Sequence, residues 1–217
     1  MAEKKAVIFD CWNTLFQNEG ENPYKTLADN LGYSLDDYEG YVKPVERHLM
    51  LEKHETESDL EQAIEVFYQE VGVDYNESDV RETRELLESA ADNVVAYPET
   101  QEVLDYLDGN YRLGFISNTN FRAFQGLTQE FDVEDTFDVI FLSYREGVMK
   151  PDAEVFETVL SELDVMPGEA VMVGDSLPDD VQAAEEQGID GILMDRNRRH
   201  SEYDDRIESL AELKAEL

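Results

Sequence analysis

Four short stretches hold side chains able to do polar chemistry, and each lies where an apolar run stops. The first is Ala6-Val7-Ile8-Phe9-Asp10-Cys11-Trp12-Asn13-Thr14, an apolar run that ends abruptly on an acid and turn-tolerant residues. Open α/β sheets place their chemistry at the carboxyl ends of buried strands, so Asp10 is either a reactive carboxylate or a solvated strand end. The last stretch is the most informative: Ala170-Val171-Met172-Val173-Gly174-Asp175, followed by Ser176-Leu177-Pro178-Asp179-Asp180. Two strand ends that each supply a carboxylate offer hard oxygen ligands suited to Mg²⁺, which typically keeps several waters. Taken alone, Asp175 could serve only as a helix cap.

Between them lie two further candidates. Phe115-Ile116-Ser117-Asn118-Thr119-Asn120 places a hydroxyl and amides ahead of a helix, where they could hold an oxyanion or simply cap that helix. Val148-Met149-Lys150-Pro151-Asp152 puts one of only seven lysines at a strand-to-helix junction, with Pro151 read as the first helical turn. Such a lysine could neutralise phosphate and carboxylate charge as a point cation, or lie on the surface.

Elements must bring these residues together. From Tyr97-Pro98 onward, helix and strand alternate. Helices are predicted over 100–107, 121–130, 153–163, 179–187 and 206–217, and strands over 112–117, 139–143, 170–173 and 191–194. With the opening strand, that alternation predicts a parallel, doubly wound sheet whose strand ends share one edge. Residues 18 to 95 read differently. Apolar spacing there, as in Leu60, Ile64, Phe67, Tyr68 and Val71, suits amphipathic helices with no strand among them. Ser58 and Ser78 read as N-caps, with a capping box starting at Ser58.

Composition narrows the partners. The 217 residues include 52 acidic and 17 basic ones, a formal charge of −35 spread over nearly every polar segment. Such a surface repels nucleic acid phosphates and anionic lipid, so neither is expected as a partner. Acid excess with few lysines suits a halophilic cytosol at molar salt, where a Debye length of roughly 3 Å screens the self-repulsion. Hydrophobic residues at 41% are enough for a packed core, and the single cysteine, Cys11, excludes an intrachain disulfide. No apolar run approaches the ~20 residues of a membrane span and no signal-like segment precedes the first strand, so a cytoplasmic setting is expected.

The four stretches, in this order, resemble the haloacid dehalogenase superfamily, a group dominated by Mg²⁺-dependent phosphatases. The resemblance implies an α/β fold: a Rossmann-like parallel sheet flanked by helices in residues 1–17 and 96–217, with a four-helix cap inserted after the first strand in residues 18–95. It matches Asp10 to the nucleophile, Ser117 or its neighbour Asn118 to the phosphate-contacting second motif, and Lys150 to the third. Asp175 with Asp180 matches the acidic fourth motif, Asp179 being the alternative to Asp180. It further implies Mg²⁺ held by Asp10, the Trp12 carbonyl and Asp175, a small phosphorylated metabolite as substrate, and an aspartyl-phosphate intermediate. Thr14, Asn118 and Arg47 are the candidate substrate contacts, although Arg47 reads more readily as a solvated or ion-paired arginine, and His48 beside it is read as structural.

One position departs from the family pattern. Phosphatases of the group carry a second Asp two residues after the nucleophile as general acid and base, and here that residue is Trp12. An indole only donates a hydrogen bond, and a lost acid/base typically removes about 10² to 10⁴ in rate. The dehalogenase branch has an aromatic residue at this place, so a metal-independent 2-haloacid dehalogenase with Asp10 as nucleophile is one alternative. A fold-retaining binding or regulatory protein is the other.

Overall fold

The computed structural model describes residues 3–217. Strand β1 (Ala6–Asp10) is buried on both faces and lies inside a six-stranded sheet. Its neighbours are β4 (Arg112–Ser117) and β6 (Ala170–Gly174), both parallel to it, with Asp10 opposite Ile116 and Phe9 opposite both Phe115 and Val173. Beyond β4 lies β5 (Val139–Leu142), and beyond β6 lie β7 (Asp190–Met194) and β8 (Arg206–Ile207). The chain therefore runs outward on one side of β1, then returns to its other side at β6. That reversal opens a crevice at the carboxyl ends of β1, β4 and β6.

Alternation along the strands divides the core between two faces. Val7, Phe9, Leu113, Phe115, Val171 and Val173 pack with Leu104 and Leu107 of helix α5 (Thr100–Leu107) and Leu127 of α6 (Phe121–Glu130). Ala6, Ile8, Ile116 and Met172 face the other way, against Phe156, Val159 and Leu163 of α9 (Ala153–Leu163). Two single-turn helices, α7 (Val133–Thr136) and α8 (Ser143–Glu146), flank β5, and a helical stretch over 177–186, α10, follows β6.

The polar stretch of the sequence forms α1 (Pro23–Leu31), a helical segment over 38–50 (α2), α3 (Glu57–Val71) and α4 (Glu77–Ala91). These helices bury Leu27, Tyr41, Leu49, Ile64, Phe67, Tyr68 and Leu87 in a cluster of their own. Arg84, on α4, reaches Glu61 at 3.1 Å and Glu88 at 2.6 Å, so one guanidinium fork ties α3 and α4 in a region crowded with acids.

Several expectations are corrected. The helical stretch is bracketed by an antiparallel pair of three-residue strands, β2 (Phe16–Asn18) and β3 (Val94–Ala96), which are too short to show a period in the sequence. The caps are Thr56 and Asn76 rather than Ser58 and Ser78. Both form capping boxes, with Asp59 and Asp79 at the third helical position, because acids there return a bond to the cap's own N–H. Pro151 belongs to the turn before α9, which begins at Ala153 with Asp152 as its cap. Residues 206–217 are not one helix. Arg206–Ile207 pair with β7, Leu210–Glu212 form a 3₁₀ turn, and only Leu213–Glu216 are α-helical, as α11.

Candidate active site

Asp10 ends β1 almost fully buried, and its two carboxylate oxygens have different partners. Lys150 Nζ donates to Oδ1 at 2.6 Å, and the Thr14 hydroxyl donates to Oδ2 at 3.2 Å. Lys150 is buried as well, and its ammonium also reaches Asp180 Oδ1 at 2.5 Å. The surface reading of this lysine therefore falls. Its backbone is clamped by Asn118, whose Oδ1 accepts the Lys150 N–H and whose Nδ2 donates to the Lys150 carbonyl, each at 2.9 Å. Asn118 thus holds the lysine's main chain and leaves Ser117 as the free group of that pair. The cap of α6 is Asn120, which accepts the Ala123 N–H, while the Ser117 hydroxyl is buried without a hydrogen-bond partner among the described residues.

The acidic side is built at the end of β6. Asp180 Oδ2 accepts the Ser176 N–H at 2.9 Å, so both oxygens of Asp180 are engaged. A Cβ at position 174 would lie 2.3 Å from that same oxygen, which is why glycine precedes Asp175. The helix cap here is Ser176, bonded to the Asp179 N–H, so Asp175 is not the cap. Asp179 receives the Ser176 hydroxyl, and of these two neighbouring acids it is Asp180 that meets Lys150. Oxygens of Asp10, Asp175 and Asp180 all lie within 4.8 Å of one another.

One ammonium cannot balance three carboxylates in a buried place. Burial, then the charges of Asp180 and Asp175, push Asp10 up to about 8 against the pull of Lys150. Burial and Asp180 push Asp175 up to about 6. Burial alone would lower Lys150, but the attraction of Asp10 and Asp180 outweighs it and holds the ammonium charged. A site with this excess of negative charge and oxygen ligands fits a divalent cation, which would supply the missing positive charge. Cys11, by contrast, is buried and its thiol is pushed well up by burial and then by Asp10, so it packs as an apolar residue and not as a nucleophile.

The turn after Asp10 is held by a residue that sequence reasoning did not single out. Arg196, just beyond β7, donates Nε to the Asn13 carbonyl at 3.2 Å and Nη2 to the Thr14 carbonyl at 2.8 Å. Its Nη1 pairs with Glu99 at 2.7 Å, and its guanidinium lies 3.5 Å from the centre of the Tyr97 ring. The Cys11 carbonyl accepts the N–H groups of Leu15 and Phe16, and Asn13 sits at φ 57°, a conformation its side chain tolerates. The Trp12 carbonyl is not among these acceptors. The signal for Arg196 is its position at a strand's carboxyl end on the edge that bears Asp10 and Asp175.

Beside the carboxylates, a cavity of about 330 Å³ lies between the sheet edge and the helices. Trp12, Asn13, Asn118 and Asn120 form its sheet side, and Tyr24, Met50 and Leu87 its helical side. Two bonds tie the walls together: Asn120 Nδ2 donates to the Tyr24 hydroxyl at 2.6 Å, and the Ser143 hydroxyl donates to the Met50 carbonyl at 2.9 Å. Arg47 is absent from the cavity lining. It is half exposed and paired with Glu70 at 2.8 Å, and His48 meets the same carboxylate. Another acid of α2, Glu46, is pushed up by burial and then by the charge of Asp179, so this helix reaches toward the acidic loop.

A parallel sheet with an acid at the end of its first strand, a buried lysine and an acidic loop defines a class of hydrolases, and the comparisons agree. The haloacid dehalogenase-like hydrolase model matches residues 4–188, and the chain belongs to that family. A crystal structure of a HAD phosphatase from Thermococcus onnurineus superimposes with a TM-score of 0.63 at 28% identity, covering 97% of this chain and 96% of that one. A 2-haloacid dehalogenase from Pseudomonas syringae pv. Tomato shares the fold, with a TM-score of 0.66 at 21% identity over 98% and 97% of the two chains. Among curated proteins, a glyceraldehyde 3-phosphate phosphatase from Methanothermobacter thermautotrophicus is 29% identical over 48% of this chain and 46% of its own length. The Pyrococcus furiosus protein of that name is 32% identical over 35% and 34%. The chain thus spans less than half the length of these curated relatives.

Proposed function

We propose that this hydrolase is a Mg²⁺-dependent phosphomonoesterase acting on a small phosphorylated metabolite, with Asp10 as nucleophile and residues 18–95 as a cap over the site. The observation that carries the reading is Lys150 bridging Asp10 and Asp180 next to Asp175. A halide-displacing carboxylate has no use for two further acids, whereas a phosphoryl group needs its charge neutralised. Relatives named as phosphatases support the substrate class.

In this mechanism the Asp10 carboxylate attacks phosphorus, an acyl phosphate forms as the P–O ester bond breaks, and the departing ester oxygen takes its proton from water. Water then cleaves the acyl phosphate, releasing phosphate and restoring Asp10. Asp10, Asp175 and the Trp12 carbonyl would hold Mg²⁺, which when bound neutralises phosphoryl charge. Lys150 and the Ser117 hydroxyl steady the transferring oxygens, Asp180 orients Lys150, and Thr14 orients Asp10. Since Trp12 has no proton to give, turnover depends steeply on the leaving group.

The test is hydrolysis of p-nitrophenyl phosphate in molar KCl, with Mg²⁺ or EDTA. Nitrophenolate leaves without an acid, so activity is expected with Mg²⁺ and its loss with EDTA. Asp10→Asn is expected to fall below ~10⁻³ of the wild-type rate, as removal of a nucleophile does elsewhere. Chloride release from chloroacetate in EDTA would instead favour the dehalogenase reading suggested by the aromatic Trp12. Mg²⁺ binding with no ester hydrolysed would favour a binding protein.

A further inference from the structure

Although 32% of the chain is charged, no charged side chain is among the described residues that line the cavity beside the carboxylates. We propose that this cavity selects phosphate esters whose alcohol part is uncharged, and rejects esters that carry a second anion such as a carboxylate. The inference rests on the phosphomonoesterase reading and names the substrate class of that site.

The wall's amides are largely committed to the protein. Both ends of Asn118 hold the Lys150 backbone. Asn120 spends Oδ1 on the Ala123 N–H and Nδ2 on the Tyr24 hydroxyl. Asn18 donates to the Ala90 carbonyl and accepts the Gly20 N–H, while the oxygen of Asn22 accepts from Tyr24 and Lys25. A carboxylate entering here would lose its water and meet no cation among the described lining residues, with few N–H donors to replace that water. Hydroxyls and short apolar chains fare differently. Met50, Leu87 and Ala90 offer apolar contact, and the amides of the wall can exchange hydrogen bonds with a neutral hydroxyl. Arg47, the cation that could have met a second anion, is turned to Glu70. Molar salt screens the net charge beyond roughly 3 Å, so the rejection is local to the wall.

The experiment compares two esters of the same three-carbon skeleton, sn-glycerol 3-phosphate and 3-phosphoglycerate, by phosphate release in molar KCl with Mg²⁺, and p-nitrophenyl phosphate serves as the control. The expected result is a kcat/KM at least ~10-fold higher for the glycerol ester. In calorimetry with Asp10→Asn, tighter binding of that ester is expected. Met50→Lys places an ammonium in the wall and should shrink the preference by raising kcat/KM for 3-phosphoglycerate. Ala90→Lys does so from α4, should the first variant fold poorly. Equal or faster hydrolysis of 3-phosphoglycerate by the wild type overturns the inference and leaves the phosphatase reading intact, as does a preference unmoved in both folded variants. No phosphate from any of the three esters overturns the phosphatase reading itself.

Discussion

Asp10, Asp175 and Asp180 set three carboxylates around a single ammonium, and that imbalance governs how the protein responds to pH. Asp10 and Asp175 are raised to about 8 and about 6 from an ordinary value of 3.8. In that interval the folded state binds more protons than the unfolded one, so stability falls as pH rises. The metal-free protein is therefore expected to lose melting temperature from about pH 4 to about pH 8, and millimolar Mg²⁺ to flatten the slope. Melting curves across that range with EDTA or Mg²⁺ check this, and a metal-free curve that rises with pH would contradict it. Gly174 gives a second prediction. A methyl at this position would meet Asp180 Oδ2 at 2.3 Å, so Gly174→Ala should drive Asp180 off Lys150. Since misplacement of about 1 Å can cost on the order of 10², kcat on p-nitrophenyl phosphate should fall about 100-fold while circular dichroism is retained.

At the level of elements, the turn between β1 and β2 is shaped from outside itself. Arg196 carries the constraint from the end of β7 to the carbonyls of Asn13 and Thr14, and Glu99 holds the guanidinium in place. Lysine has one charged nitrogen and cannot span three acceptors with a planar fork. Arg196→Lys is accordingly expected to lower kcat roughly 10- to 100-fold with KM little changed. Kinetics on p-nitrophenyl phosphate at saturating Mg²⁺ would show it, and an unchanged kcat would remove Arg196 from the site's support. The helices reach the site by the same principle of anchoring at a few atoms. Ser143 joins Met50 of α2 to the loop after β4, and Tyr24 of α1 meets Asn120.

Across the molecule, 52 acids against 17 bases leave most carboxylates without a cation to pair with, and arginines such as Arg84 each serve several. Self-repulsion of this size destabilises the compact state unless salt screens it. Between 0.1 M and 3 M KCl the melting temperature is expected to rise. About 2 kcal/mol of relieved repulsion corresponds to roughly 4–8 °C for a chain of this length. A melting temperature independent of KCl would count against the reading of the composition as salt-adapted. Among the described residues, no helix is long and apolar enough to cross a membrane.

Short-range regularities in the amino-acid order determined the five longer strands, the longer helices between them and the acids at the ends of β1 and β6, but not the single-turn helices α7 and α8. Burial on two faces forces continuous apolar runs, and those runs stop where the chain leaves the sheet. β2, β3 and β8, with two or three residues each, are too short to leave such a trace. Only the tertiary structure decided which polar groups meet. Lys150 reaches Asp10 across 140 residues, and Arg196 reaches Thr14 across 182. No local period encodes pairings of that range. Which of Asp179 and Asp180 meets Lys150 has the same origin, because adjacent residues of a helical turn point in different directions and only the packed sheet edge defines which direction faces Lys150.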